Sequence, residues 1–302
     1  MGRLYTNSSK GTKTEQELAH DLSNFVEIGQ VSVHYEISGD VSNLKQPLIV
    51  LLHGFGANTF SWRKQMKPLS KFGLVVSYDR PAFGLTVRPK HWKEHNPYGF
   101  RAQIELLNGI IKYFGPARKV ILIGHSAGAA IAAEWALNNQ KRVLGLVFEG
   151  PAILTLPPSP KPMAKLMRTS AFDRIGPRLV GGFKKAGTEI LYRSWFDKSK
   201  ITPEVKEGYF LPLQVKGWEA GFWEFVRVGN PVTVQSRLPE LKVPALVITG
   251  DPDEIIPTKD SVKISELLPN SKLVVFPNCG HIPHEEKADY FETAVETFIR
   301  QL

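Results

Sequence analysis

The 302-residue sequence predicts an α/β protein, built on a mostly parallel sheet with helices on both faces. Three observations predict it. Short, continuous apolar runs recur along the chain. Stretches of helical spacing alternate with them. The rhythm stops between residues 151 and 230 and then resumes, which is the pattern of one core carrying an insertion.

The first strands are of a different kind. Residues 25–28 and 31–37 alternate apolar and polar side chains around Gly29-Gln30, so they predict a hairpin. From there the strands lose their polar face. Residues 47–52, 74–78, 120–123, 143–148, 245–249 and 272–276 are nearly all apolar, as expected of strands covered on both sides. Helices are predicted between them. Residues 99–114 place Ile104, Leu107, Ile111 and Phe114 on one face, and residues 127–138 are rich in alanine. Residues 259–268 and 288–302 complete the set.

The interruption opens with a proline-rich stretch over 151–162. Short helices are predicted at 163–175, 187–196, 203–215 and 219–228. The expected organisation is a flexible N-terminal arm over 1–23, a core formed by 24–150 and 231–302, and a helical cap over 151–230.

Bulk properties narrow the partners. The net charge is +9, but no dense Lys/Arg block or basic-aromatic stripe occurs, so no nucleic-acid partner is expected. Cys279 is the single cysteine, which excludes an intrachain disulfide and a cysteine metal cluster. The eight histidines show no H-E-x-x-H spacing, so neither a metal nor another cofactor is expected. Residues 1–17 lack the apolar core of a signal peptide, and no apolar run is long enough for a membrane span. A cytoplasmic protein is the expectation.

The chemistry centres on Gly124-His125-Ser126-Ala127-Gly128. A buried strand precedes it and an alanine-rich helix follows, so the turn holds Ser126 exposed and strained above the sheet. A serine hydroxyl needs a base, and the base needs a carboxylate to fix its tautomer. His281 follows the last strand in Asn278-Cys279-Gly280-His281 and is the candidate base, with His284 as the nearest rival. Asp251, Asp253 and Glu254 compete as the acid in the loop after strand 245–249, and Glu149 is a further candidate at a neighbouring strand end. An oxyanion site is expected from the backbone N–H groups of Phe55, in His53-Gly54-Phe55-Gly56, and of Ala127.

These motifs, together with Tyr78-Asp79-Arg80-Pro81-Ala82-Phe83-Gly84, resemble the α/β-hydrolase superfamily in its capped branch of esterases, epoxide hydrolases, dehalogenases and carbon–carbon hydrolases. The resemblance covers residues 25–302. It implies the α/β-hydrolase fold, and its G-x-x-D-x-x-x-P acid loop selects Asp253. It also implies that the Asp79-Arg80-Pro81 turn shapes the pocket floor. Two branches do not match: their elbow carries aspartate where Ser126 stands, and the epoxide hydrolases carry proline where Gly56 stands.

The expected function is therefore a carboxylesterase-like serine hydrolase acting on a small-molecule ester. The alternatives are a triad hydrolase of a carbon–carbon, thioester, lactone or peptide bond, or a ligand receptor that keeps the triad. Aromatic crowding in the cap nominates Trp195, Phe196, Trp218, Phe222 and Trp223, with Phe55, as an apolar substrate pocket.

Overall fold

A computed structural model describes residues 11–93, 95–154, 176, 180, 183–229 and 233–302. Eight strands form one sheet: β1 (Asn24–Ile28), β2 (Val31–Ser38), β3 (Leu48–Leu52), β4 (Leu74–Tyr78), β5 (Val120–His125), β6 (Val143–Glu149), β7 (Ala245–Asp251) and β8 (Ser271–Pro277). Their order is β1-β2-β4-β3-β5-β6-β7-β8. The β1–β2 hairpin is antiparallel and turns at Ile28↔Val31. β2 also runs antiparallel to β4, and from β4 to β8 every neighbour is parallel.

The apolar runs read as they do because two cores share each strand. In β3, Leu48, Val50 and Leu52 face one core, with Leu107, Ile110 and Ala132. Ile49 and Leu51 face the other, with Trp62, Phe291 and Val295. Burying each such aliphatic chain contributes about 1.5–3 kcal/mol. The edge strand β8 is the exception, with Leu273 and Val275 partly exposed.

Helices α1 (Glu15–Leu18), α2 (Met66–Leu69), α3 (Phe100–Phe114) and α4 (Ala127–Leu137) come from the first half of the chain. Helices α5 (Phe183–Ser194), α6 (Pro203–Phe210) and α7 (Trp218–Val228) lie in the inserted region. Then come α8 (Thr258–Leu267), α9 (Pro283–Glu286) and α10 (Ala288–Ile299). The helix expected over 163–175 lies outside the described residues. The inserted helices meet the loops that follow three strands. Asn58 Nδ2 donates to the Gly208 carbonyl at 3.1 Å, Arg193 Nη2 to that of Glu254 at 2.6 Å, and the His281 N–H to that of Ser194 at 2.7 Å.

The expectation of a flexible arm needs correction from residue 11 onward; residues 1–10 lie outside the described residues. The N–H groups of Thr12 and Lys13 both donate to the Gln214 carbonyl at 3.0 Å, and the Lys216 N–H donates to that of Lys13 at 2.7 Å. Thr14 and Glu17 then form a reciprocal capping box on α1. Leu18 is buried with Leu85 and Val215. Backbone pairing and one apolar anchor hold a segment whose polar composition suggested mobility.

Candidate active site

β5 ends at His125 and α4 begins at Ala127, so Ser126 alone makes the turn. Its backbone adopts φ 52° and ψ −116°, a left-handed conformation that costs a non-glycine residue about 1–3 kcal/mol. Hydrogen bonds over-determine it. The Ser126 N–H donates to the Glu149 carbonyl at 2.8 Å, and the Ser126 carbonyl accepts from Ala152 N at 3.1 Å. Small residues make the turn possible. A Cβ on Gly128 would stand 2.3 Å from the Leu52 carbonyl oxygen, and one on Gly124 would stand 2.6 Å from Ala129 Cα. The helix therefore rests directly on the backbone of β3 and β5.

His281 sits in the loop after β8. Its Nδ1 lies 2.7 Å from Asp253 Oδ2. The other oxygen, Asp253 Oδ1, accepts the N–H groups of Ile255 and Ile256 at 2.8 and 2.9 Å. These donors hold the carboxylate in one orientation, toward the ring. His125, beside Ser126, reaches the same loop, with Nε2 at 3.0 Å from the His281 carbonyl. A carbonyl only accepts, so Nε2 carries the proton and Nδ1 is a bare acceptor. Burial, reinforced by the neighbouring His281, holds the His125 pKa well below the ordinary value, so this ring is neutral. Nothing in the motif pattern pointed to that role for His125.

The rival groups go elsewhere. Asp251 Oδ1 accepts from Thr258 Oγ1 at 3.2 Å, and Glu254 faces Arg193 at 3.8 Å on the surface. Glu149 and His284 pair with each other at 2.8 Å, and both are fully buried. The His284 ring stacks on Trp62 with centroids 4.3 Å apart. Burial pushes Glu149 up to about 7 and His284 down to about 3.

The His53-Gly54-Phe55 loop is fixed by the turn after β4. Arg80 N donates to His53 Nε2 at 3.1 Å, so His53 Nδ1 donates to the Gly54 carbonyl at 2.7 Å. Arg80 Nη2 donates to that same carbonyl at 2.8 Å. Asp79 accepts from Thr59 N, Leu85 N and His34 Nδ1, each at 2.7 Å. Burial opposes its charge, but His34 and the backbone donors hold its carboxyl below the usual range. Ala127, the first residue of α4, presents one of the N-terminal N–H groups that have no intrahelical acceptor.

Ser126, His281 and Phe55 all border one cavity of about 490 Å³. Trp218 and Phe222 line it too, and the Phe55 ring lies 5.7 Å from that of Phe222. Three nominated pocket residues are placed elsewhere. Trp195 is 1% exposed and packs with Leu191, Ile201 and Ile282. Phe196 faces outward at 45% exposure. Trp223 is buried but does not reach the cavity. Phe83 and Leu213, which lie outside the aromatic crowding of the cap, complete the apolar wall together with Phe210.

Among the described residues one cluster has metal-ligand chemistry, His20, His34 and Glu36, and it lies apart from the cavity. Its nitrogens are engaged. His34 meets Asp79 through Nδ1 and Ser23 Oγ through Nε2 at 2.9 Å, while His20 Nδ1 accepts the Leu22 N–H at 3.3 Å. An ion held through the Nε2 atoms would have to displace the Ser23 bond and the His20 Nε2–Glu36 contact at 3.4 Å.

Comparison with known proteins settles the family. The model of the alpha/beta hydrolase family matches residues 49–294. The chain belongs to that family. It is 24% identical over 284 residues to the uncharacterized hydrolase YugF of Bacillus subtilis (strain 168), covering 89% of this chain and 95% of that protein. It is 27% identical over 283 residues to 2-hydroxy-6-oxononadienedioate/2-hydroxy-6-oxononatrienedioate hydrolase 2 of Pseudomonas putida, covering 89% and 92%. Among solved structures, a thermophilic esterase from Thermogutta terrifontis superposes with a TM-score of 0.73 at 22% identity, covering 92% of this chain and 98% of that one. The eight-stranded sheet is thus the alpha/beta-hydrolase sheet. Among the described residues no helix is long and apolar enough to cross a membrane.

Proposed function

We propose that this alpha/beta hydrolase is a serine hydrolase that cleaves a carboxylic ester of a largely apolar small molecule through an acyl-enzyme at Ser126. The observation that carries the reading is the buried His281–Asp253 pair, 2.7 Å apart, whose histidine borders the same cavity as the strained Ser126. In this cycle His281 Nε2 takes the Ser126 proton as Oγ attacks the ester carbonyl. Asp253 keeps the other proton on Nδ1 and stabilises the imidazolium. The oxyanion is held by the N–H groups of Phe55 and Ala127, each donor being worth about 3 kcal/mol of barrier. His281 returns the proton to the leaving alcohol, then activates water to release the acid. Phe55, Phe83, Trp218 and Phe222 give the cavity the apolar wall that such a substrate needs. The inserted region 151–230 serves as the cap in this reading, and the protein works in the cytoplasm.

Turnover of p-nitrophenyl acetate by the wild type and by Ser126→Ala tests it. The substitution is expected to lower kcat by about 10⁴-fold or more. Equal rates would sink the proposal.

A second reading has its own support. The Pseudomonas putida relative carries a 2-hydroxy-6-oxo-dienedioate in its name. The same nucleophile and base would then cleave a carbon–carbon bond next to a ketone. Offering the enzyme a 2-hydroxy-6-oxo-dienoate beside an ester series separates the two: a kcat/KM higher for the dienoate selects the second.

A further inference from the structure

We infer that Glu286 is a positioning residue that ties the helices above the cavity to the loop carrying His281, so that their seating sets the placement of the base. The inference rests on His281 being the base of the proposed reaction. Glu286 lies five residues after His281, in the last position of α9, and is 3% exposed. Its carboxylate accepts three backbone N–H groups from two distant parts of the chain. Gly280 N donates to Oε2 at 2.7 Å, Phe196 N to Oε2 at 3.0 Å, and Asp197 N to Oε1 at 2.6 Å. Hydrogen bonds to a charged acceptor are shorter and stronger than neutral ones, and three on one buried carboxylate fix the spacing of the segments they join.

The two segments are in direct backbone contact around this clamp. The His281 N–H donates to the Ser194 carbonyl at 2.7 Å. A Cβ on Gly280 would stand 2.4 Å from that carbonyl oxygen and 2.8 Å from Phe196 N, so only glycine fits between them. Lys200 Nζ adds a bond to the Glu286 carbonyl at 2.7 Å. His281 is therefore fixed on three sides: to Asp253 through its ring, to the nucleophile turn through His125, and to the 194–197 segment directly through its own N–H and, by way of Glu286, through that of Gly280. A shift of that segment would carry the base with it.

Glu286→Gln tests the clamp. It offers one acceptor oxygen where two are used and sets an NH₂ against an N–H donor. The expected result is a fall in kcat on p-nitrophenyl acetate of about 100-fold, the cost of a displacement of about 1 Å, with KM nearly unchanged. Amide hydrogen exchange at Phe196, Asp197, Gly280 and His281 is expected to accelerate together, while the β7 amides keep wild-type protection. Unchanged exchange at those four amides overturns the inference, and so does loosened exchange with wild-type kcat. Should the variant not fold, Asp197→Ala and Asp197→Pro carry the test. Both remove the side-chain cap on Ser199, and only proline also removes the N–H that meets Glu286. The φ of −88° at position 197 lies close to the range of proline. The proline variant must then show the larger loss in kcat; equal kcat in the two overturns the inference. A wild type with no Ser126-dependent turnover defeats the ester reading instead, and the exchange experiment still decides whether the clamp exists.

Discussion

Two histidine–carboxylate pairs lie side by side in this molecule, His281–Asp253 and His284–Glu149, three residues apart along one loop. Both have Nδ1 within 2.8 Å of an acid oxygen, and both rings lie about 5 Å from that of His125. They differ in what surrounds them. Asp253 takes two backbone N–H groups from its own loop, and its histidine borders the cavity. Among the described residues Glu149 takes one backbone N–H, that of His284, and its partner is sealed against Trp62. Pair geometry alone does not distinguish the two; the donors to the carboxylate and the open face of the ring do.

The largest expected effect separates the pairs by activity. Asp253→Asn, measured on a p-nitrophenyl ester, is expected to lower kcat by about 10⁴-fold, because the amide favours the wrong tautomer of His281. Glu149→Gln keeps an acceptor for His284 and is expected to leave kcat within about threefold of wild type. Comparable losses in the two variants would erase the distinction.

The same contrast of open and sealed settings divides the tryptophans. Trp195→Ala is expected to cost about 3–5 kcal/mol in chemical denaturation, since the side chain is enclosed among Leu191, Ile201 and Ile282. Trp218→Ala is expected to act mainly on substrate preference, read as a changed ratio of kcat/KM between short and long acyl esters. A loss of preference in the Trp195 variant, with none at Trp218, would reverse this assignment.

The smallest effect is a pH dependence of stability. Burial raises Glu149 from 4.5 to about 7. Between those values the folded protein keeps a proton that the unfolded chain has lost, so this carboxyl's contribution to stability falls as pH rises through the window. His284, lowered to about 3, works in the opposite sense below its ordinary value of 6.5, and it is present in both proteins compared. The Tm of Glu149→Gln relative to wild type is therefore expected to climb from pH 5 to pH 7.5, equivalent to more than about 1 kcal/mol. A flat difference would mean that Glu149 is charged throughout.

The sheet was legible because β3 to β7 are covered on both faces, which leaves unbroken apolar runs in the sequence. The sharp turn at Ser126 was legible because a tight turn between a strand and an alanine-rich helix demands small residues at fixed places. The pocket was not, because aromatic crowding says nothing about direction. Trp218 and Phe222 stand four apart on α7 and both line the cavity, Phe222 beside Phe55, whereas Trp223, the next residue, does not. Helical spacing within 218–228 held that signal. The roles of His125 and Glu286 had no signal in one sequence, since both act on backbone groups brought close by folding. The arm was misjudged for the same reason: Thr12 and Lys13 are held through their N–H groups, which every composition shares.

That arm bears on how far the molecule can be treated as interchangeable parts. The helices above the cavity are encoded between β6 and β7, as if they were a cassette to be exchanged between relatives. Their Gln214–Lys216 stretch is nevertheless bonded to Thr12 and Lys13 at the other end of the chain. A chimera that swaps residues 183–229 alone would leave residues 11–18 facing a foreign surface. The exchangeable unit is discontinuous, and recombination at the two obvious junctions would cut through it.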